Sequence, residues 1–452
     1  MKCSDCKGIG NTHTHSTHFM QAEIEDLKEQ LFLKKSTIAG LKKELEEERQ
    51  LFMNVTKTAR ENPKDEASVN AQLLERGGFI YKNSAGVYTF LPLGWRVIYK
   101  IAGIIREEMN KIGGVEMLMP ALVEKKYLDA TKRWDVGIGF EAKGKEEKKA
   151  GFVLGWTHEE VLTDIASKFV SSYKDLPFAA YQIQTKFRNE PRAKSGLLRG
   201  REFMMKDLYS FHESEDDLWK YYGEVKEAYL RIFHRCGLEA IYTVAAGGDF
   251  TVSNTHEFQV AAAVGEDTIF ICEKCGYAEN AEISNLKTGD ACPKCGGEMI
   301  EKKTIEVGNI FPLGTKYSKA FNLQIINEAG KKDYVVMGSY GIGLGRVMGA
   351  VVEVYHDDNG ITWPESVAPF KIHLIALEGA EKEADEIYEK VLHGGGEILY
   401  DDREDKTAGE KFADADLIGC PVRVVISSRT LQENSVEMKL RSEKEARLVA
   451  ID

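Results

Sequence analysis

The residues best suited to chemistry gather between Tyr181 and Phe211, in the run YQIQTKFRNEPRAKSGLLRGREFMMKDLYSF. It carries Arg188, Arg192, Lys194, Arg199, Arg201 and Lys206, and Glu190 stands two residues beyond Arg188 on the same strand face. Guanidinium forks held on strands are planar, pre-aimed donors, which suits a polyphosphate. A basic hairpin on the solvated face of a nucleic-acid binder would show the same charge pattern. Both ends of the run read as strand: 181–187 alternates, and 202–211 is rich in apolar and aromatic residues. Pro191, Ser195, Gly196 and Gly200 turn the chain between them, which predicts a long antiparallel hairpin with a polar loop.

Three other clusters carry chemistry. In Gly155-Trp-Thr157-His-Glu159-Glu160, a hydroxyl and a carboxylate offer acceptors for an amine, while Thr157 with Glu160 also fits a helix capping box. After a predicted strand at 333–337, Gly338-Ser-Tyr-Gly-Ile-Gly-Leu-Gly-Arg346 reads as a glycine-rich turn into a helix at 347–354. As a dinucleotide loop it lacks the acidic residue about twenty positions on and the parallel βαβ surroundings. Cys272-x-x-Cys275 and Cys292-x-x-Cys295 are separated by sixteen residues, with Gly276 and Gly296 after each pair. That spacing predicts a closed, tetrahedral, structural zinc ribbon. Cys3-x-x-Cys6 with His13, His15 and His18 near the N-terminus could also bind zinc, but these histidines lack a firm ligand spacing.

Phe187-Arg188-Asn189-Glu190 followed by Arg201-Glu202-Phe203 resembles motif 2 of the class II aminoacyl-tRNA synthetases. The continuation Met205-Lys-Asp207-Leu-Tyr209-Ser-Phe-His212 is similar to the bacterial-type prolyl-tRNA synthetases, from about Leu51 to the C-terminus. A helix at 97–109, a strand at 114–119 and Pro120 resemble motif 1, the family's dimer-forming element, and 338–346 resembles motif 3. Thr255-His256-Glu257-Phe258 resembles the family's Ser-His-Glu-Phe, and Asp402-Arg403 with Gly409-Glu-Lys411-Phe-Ala-Asp414 resembles its anticodon-binding domain. The chain departs from the pattern at Asn189, where an acid is usual, at Pro191 to Lys194, and at Ser339, where cysteine is frequent.

The resemblance implies ATP-dependent ligation of L-proline to tRNA(Pro) by a cytoplasmic homodimer. ATP and Mg²⁺ are implied cofactors, with no Mg²⁺ ligands assigned, and Zn²⁺ is the structural metal. It implies catalytic roles for Arg188 and Arg346, and ATP contacts from Arg188, Glu190, Arg201, Phe203 and Arg346. Proline contacts are implied for Thr157, Glu159, Arg188, Asp207, Tyr209 and His256, tRNA contacts for Arg199, Arg403 and Lys411, and zinc ligation for Cys272, Cys275, Cys292 and Cys295. Only twenty-five residues separate Asn280 from Glu306, where many relatives insert an editing module, so that module is expected to be absent. A synthetase-like paralogue that binds tRNA or a regulatory partner without ligation is the alternative.

The implied fold class is α+β: an antiparallel-sheet catalytic domain (51–265 and 304–365), a zinc ribbon (266–303), an α/β anticodon-binding domain (366–452), and an N-terminal extension (1–50). Ile24, Leu27, Leu31, Ile38, Leu41 and Leu45 recur at three-and-four spacing, which reads as a coiled-coil helix. Beyond Trp363-Pro364, strand and helix patterns alternate, as a small α/β domain requires. At 452 residues, 43% hydrophobic and 29% charged, the chain has ample core for two or three domains. A net charge of −12 excludes a general nucleic-acid coat but not a local basic face. No run approaches ~18 apolar residues, so no membrane span is expected.

Overall fold

The computed structural model describes residues 57–451, apart from 64–65, 192, 249–250 and 252–253. The predicted coiled coil, Cys3, Cys6 and Arg192 lie outside the described residues.

The predicted hairpin forms, with strands Phe178–Phe187 and Glu202–His212 paired from Phe178↔Phe211 to Phe187↔Glu202. It sits inside a nine-stranded sheet. On one side lie the glycine-bearing strand Val336–Gly343 and the long strand Met299–Gly314; on the other, Gly114–Glu116 pairs in parallel as the edge. Met299–Gly314 also pairs with Thr255–Ala261 and Asp267–Cys272, so the far end of the sheet curls into a closed ring of strands.

Alternation along these strands creates two unlike faces. Gln182, Asp207, Gly341, Asn309 and Glu257 lie opposite one another in a single cross-strand row. The adjacent row, Tyr181, Leu208, Tyr340, Ile310 and His256, points the other way. The helix Glu215–Arg235 covers this second face, where Tyr222, Tyr229 and Phe233 pack against Tyr340, Phe258 and His256. Each large side chain buried there contributes on the order of 2 kcal/mol. Ser214 caps the helix by accepting the Asp217 N–H, and Glu215, Asp216 and Asp217 fill its first turn, where the dipole favours acids. Covering one face leaves the polar row of the other open.

Three expected boundaries moved for local reasons. The motif 1 helix runs Pro92–Lys111 rather than 97–109, because proline is well suited to the first helical position. Its strand stops at Glu116; Met119 N–H then donates to the Gln182 side chain instead of a neighbouring strand. The glycines expected in a turn lie within the strand Val336–Gly343, hydrogen-bonded on both edges, and the helix after it is Leu344–Val354.

The C-terminal domain has the expected alternation. Strands Ile398–Asp401, Ile372–Ala376 and Val422–Ile426 are parallel, with helices Glu381–His393 and Ala408–Ile418 between them in sequence. Two further antiparallel strands, Ser435–Leu440 and Arg447–Ala450, extend the sheet beyond what the sequence suggested. Arg441 grips Asp357 with both guanidinium nitrogens at 2.6 and 2.7 Å, tying this domain to the core. Among the described residues, no helix is long and apolar enough to cross a membrane.

Candidate active site

The open sheet face carries a pocket bordered by Arg188, Glu190, Arg199, Phe203, Gly341 and Arg346. Arg188 stands over the Phe203 ring, its guanidinium carbon 5.2 Å from the centroid, and its Nε has no hydrogen-bond partner among the described residues. Burial, then the neighbouring Arg346 charge, push its pKa below the usual arginine value. Arg346 donates to the Glu306 carboxylate at 2.7 Å and to the Leu198 carbonyl at 3.0 Å. Two guanidiniums facing one pocket, one with a free donor, make a site for a polyanion. Gly341 keeps it open: a Cβ there would lie 2.4 Å from Met205 Cε.

The loop between the hairpin strands is not the solvated turn its polar residues suggested. Leu197 and Leu198 are buried. Asn70 accepts the Leu197 N–H at 3.0 Å and donates to Ser195 O at 3.2 Å, while its own amide is held by Glu353 at 2.7 Å. The two arginines of this loop sit otherwise than expected. Arg201, expected on the outer phosphates, turns away and donates through Nε to the Glu190 carbonyl at 3.0 Å. Arg199, expected on tRNA, borders the pocket, 3.0 Å from Glu266 and 3.8 Å from Glu190. Lys206 is also no surface cation. It lies on the covered face, fully buried, donating to Tyr229 Oη and to Tyr340 O, and burial holds its pKa well down.

A second cluster lies beside the first. Thr157 Oγ1 donates to Glu159 Oε2 at 2.5 Å, and Ser339 Oγ donates to Glu159 Oε1 at 3.0 Å. Tyr209 donates to Asp207 at 2.8 Å and accepts the His158 N–H at 2.8 Å. The capping box does not form: the helix starts at Glu159 with His158 as N-cap, and Glu160 turns inward to Arg133 at 2.9 Å. Glu159 is therefore buried and aimed by three donors, with Arg133 3.5 Å from Oε2. His256 is a correction. Register places it on the covered face, stacked on Tyr242 at 4.3 Å and paired with Tyr222 Oη at 2.9 Å. Its neighbour Glu257 takes the open face; burial and then the Glu306 charge raise its pKa to about 8.

Sequence reasoning missed Arg133, His158, Gln182, Lys186 and Glu257. For Gln182 and Lys186 a signal existed, since Gln182, Gln184 and Lys186 alternate along one strand face. Nothing local marks Arg133.

The four cysteine sulfurs lie within 4.8 Å of one another, with Cys272–Cys295 and Cys275–Cys292 each at 3.6 Å. For bonds of about 2.3 Å a tetrahedral zinc needs sulfurs about 3.8 Å apart, so the donor set and its spacing fit. The module is not a separate appendage: its strand Ala278–Asn280 joins Ala240–Ala245 in the main sheet.

In the C-terminal domain a cleft of about 610 Å³ is bordered by Glu381, Asp402, Arg403, Lys406, Lys411 and Arg429. Arg403 is locked by Asp401 and Asp414 at 2.7 and 2.8 Å. Lys411, expected to contact tRNA, borders the same cleft but is only 4% exposed and donates to Ala376 O at 2.7 Å, bracing the strand.

Residues 140–355 match the family described as tRNA synthetase class II core domain (G, H, P, S and T), and residues 366–452 match the anticodon binding domain. The proline–tRNA ligase of Agrobacterium fabrum is 38% identical over 425 residues, covering 87% of this chain and 96% of that protein. The proline–tRNA ligase of Geobacillus sp. (strain WCH70) is 34% identical over 549 residues, covering 87% of this chain and 96% of that protein. In fold, the chain resembles Giardia lamblia prolyl-tRNA synthetase in complex with prolyl-adenylate, with a TM-score of 0.70 at 19% identity over 84% of this chain and 74% of that one. Prolyl-tRNA synthetase from Cryptosporidium parvum complexed with L-proline and AMP gives 0.69 at 17%, over 84% and 72%.

Proposed function

Since the chain belongs to the proline–tRNA ligases, we propose that the two clusters on its open sheet face are the ATP and proline halves of one active site. The proline carboxylate attacks the α-phosphorus of ATP and pyrophosphate leaves; the terminal ribose hydroxyl of tRNA(Pro) then attacks the acyl carbon and AMP leaves. Negative charge concentrates at the α-phosphate in the first step, so positioning and electrostatic stabilisation carry the reaction.

The observation that supports this most is Arg188, set beside both clusters with a buried Nε donor unsatisfied among the described residues. In this reading it spans the α-phosphate and the proline carboxylate. Phe203 stacks on adenine, Glu190 accepts from its amino group, and Arg346 and Arg199 take the outer phosphates. Arg201 holds the Glu190 backbone rather than the nucleotide. The substrate's secondary ammonium has two N–H donors, met by Thr157 and Glu159, with Asp207 and Tyr209 closing the pocket. Burial, and after it the Glu306 charge, raises the pKa of Glu257. A pair of hard oxygen donors in that state suits Mg²⁺, which would neutralise charge on the departing pyrophosphate.

The four cysteines hold a structural zinc in this reading, and the C-terminal cleft meets the anticodon, with exposed Arg429 at its rim. Val115 on the edge strand Gly114–Glu116, Leu118 beyond its end and Leu122 on the separate strand Leu122–Glu124 are 66%, 75% and 53% exposed, apolar surface that a second copy would cover in a homodimer. Amino-acid-dependent pyrophosphate exchange across all twenty amino acids tests the assignment. Proline should dominate; exchange with threonine or glycine instead, or with none, would overturn it.

A further inference from the structure

Beneath the amine pocket lies an ammonium that neither step of the reaction uses. Lys186 is 0% exposed, and its Nζ is 2.9 Å from Asp207 Oδ1, 2.8 Å from His158 Nδ1 and 3.1 Å from Gln184 Oε1. Burying an ion pair costs several kcal/mol of desolvation per charge, and an apolar pair of similar volume is often as stable. Stability alone therefore gives little reason for it.

Two of its contacts lead to the proline acceptors. Asp207 takes the Tyr209 hydroxyl at 2.8 Å and the Gln182 amide at 3.0 Å. His158 Nε2 is 2.8 Å from Pro120 O, which can only accept, so Nε2 carries the proton and Nδ1 is the acceptor facing Lys186. His158 is the residue between Thr157 and Glu159, and its backbone N–H donates to Tyr209. Protons can then be assigned along the pocket wall. Tyr209 gives its proton to Asp207 and Thr157 gives its proton to Glu159, so the two hydroxyl oxygens, 3.3 Å apart, share none. Both keep lone pairs for an incoming ammonium.

We propose that Lys186 is a positioning residue for proline: through Asp207 and His158 it fixes Thr157, Glu159 and Tyr209 as a preformed set of acceptors. This rests on the proline-ligase reading of the site. The test uses the full chain as wild type, Lys186→Met, Lys186→Gln and the double variant Lys186→Met/Asp207→Asn, with KM for proline and for ATP read from pyrophosphate exchange and Tm alongside. Lys186→Met should raise the proline KM by at least about thirtyfold while the ATP KM stays within about threefold. The double variant, which removes both buried charges together, should bind proline better than Lys186→Met alone. Equal losses for proline and ATP, no rescue in the double variant, or failure of both single variants to fold would overturn the proposal and leave Lys186 a core residue. A wild-type protein without proline-dependent exchange would instead overturn the reading of the site itself.

Discussion

Among single residues, Arg188 sits in surroundings that are unfavourable without a ligand. Burial and a neighbouring guanidinium both work against its charge, and its Nε finds no partner among the described residues. A phosphate and a carboxylate would satisfy it. Arg188→Ala should cut proline-dependent pyrophosphate exchange by ~10²–10³, the loss of about 3–4 kcal/mol expected for one charge-assisted contact at the reacting centre. Tm should stay near wild type, since among the described residues the side chain makes only a weak hydrogen bond, to Met205 Sδ at 3.9 Å. Exchange near the wild-type rate would remove Arg188 from the site. The departures from the family pattern are mild at this scale. Asn189 is exposed and its backbone N–H donates to Ile138 O at 2.8 Å, a bond any side chain permits. Ser339 keeps a hydroxyl on Glu159, which preserves the acceptor geometry a thiol would serve less well.

Elements hold these residues through a few buried polar staples. Glu108, on the motif 1 helix, is 1% exposed and receives Arg231, Arg235 and Lys111, each at 2.8 Å. Two of those partners lie on the helix that covers the sheet, so Glu108 pins one helix to the other. Burial alone would raise its pKa, but the three hydrogen bonds outweigh it and hold the carboxyl at about 2. A folded pKa below the unfolded value of 4.5 means the stabilisation is fully present above that value and fades as pH falls through about 2. Glu108→Gln should therefore lower stability by on the order of 2 kcal/mol at neutral pH, with the gap to wild type narrowing below about pH 4 in acid unfolding curves. A gap that widened on acidification would contradict the staple. The ribbon offers a second element-scale test. One zinc per chain should be found, and chelation should raise hydrogen exchange first in 267–300 and only later elsewhere. A Cys272→Ser/Cys292→Ser variant that retains stoichiometric zinc would place the metal elsewhere.

For the molecule as a whole, what matters is how little chain lies between Asn280, which ends the ribbon strand, and Glu306, within the long strand. Twenty-five residues separate Asn280 from Glu306, and they hold the second cysteine pair and its turn. Segments below about 40 residues rarely bury a core of their own without a metal or disulfide. The alignment with the Geobacillus enzyme needs 549 positions for the same 87% of this chain that the Agrobacterium enzyme matches in 425, so the former carries a stretch with no counterpart here. Rejection of alanine then rests on the synthetic site, where a few missing methylenes are worth only about 1–3 kcal/mol. The enzyme should activate alanine measurably and should leave preformed alanyl-tRNA(Pro) intact. Rapid enzyme-dependent deacylation of that substrate would show a hydrolytic site elsewhere in the chain.

The hairpin, the cysteine pairs and the α/β alternation after Trp363 were legible in the sequence because each is a local signal: period-two patterning, fixed ligand spacing, and strand–helix repetition within a few tens of residues. The family motifs were legible for the same reason, as fixed spacings within short runs. What the sequence could not say was which side of each strand would be open. That depends on where the helix Glu215–Arg235 packs, and it is why His256 went to the covered face while Glu257 took the open one. Nor could it trace the hairpin loop, because its course is set by Asn70 and Glu353, 127 and 283 positions from their partners. Glu159 is aimed by Ser339 from 180 positions away, and Arg133 joins it from another element. Such contacts follow from long-range packing rather than from any local spacing, so no short window of the sequence carries them.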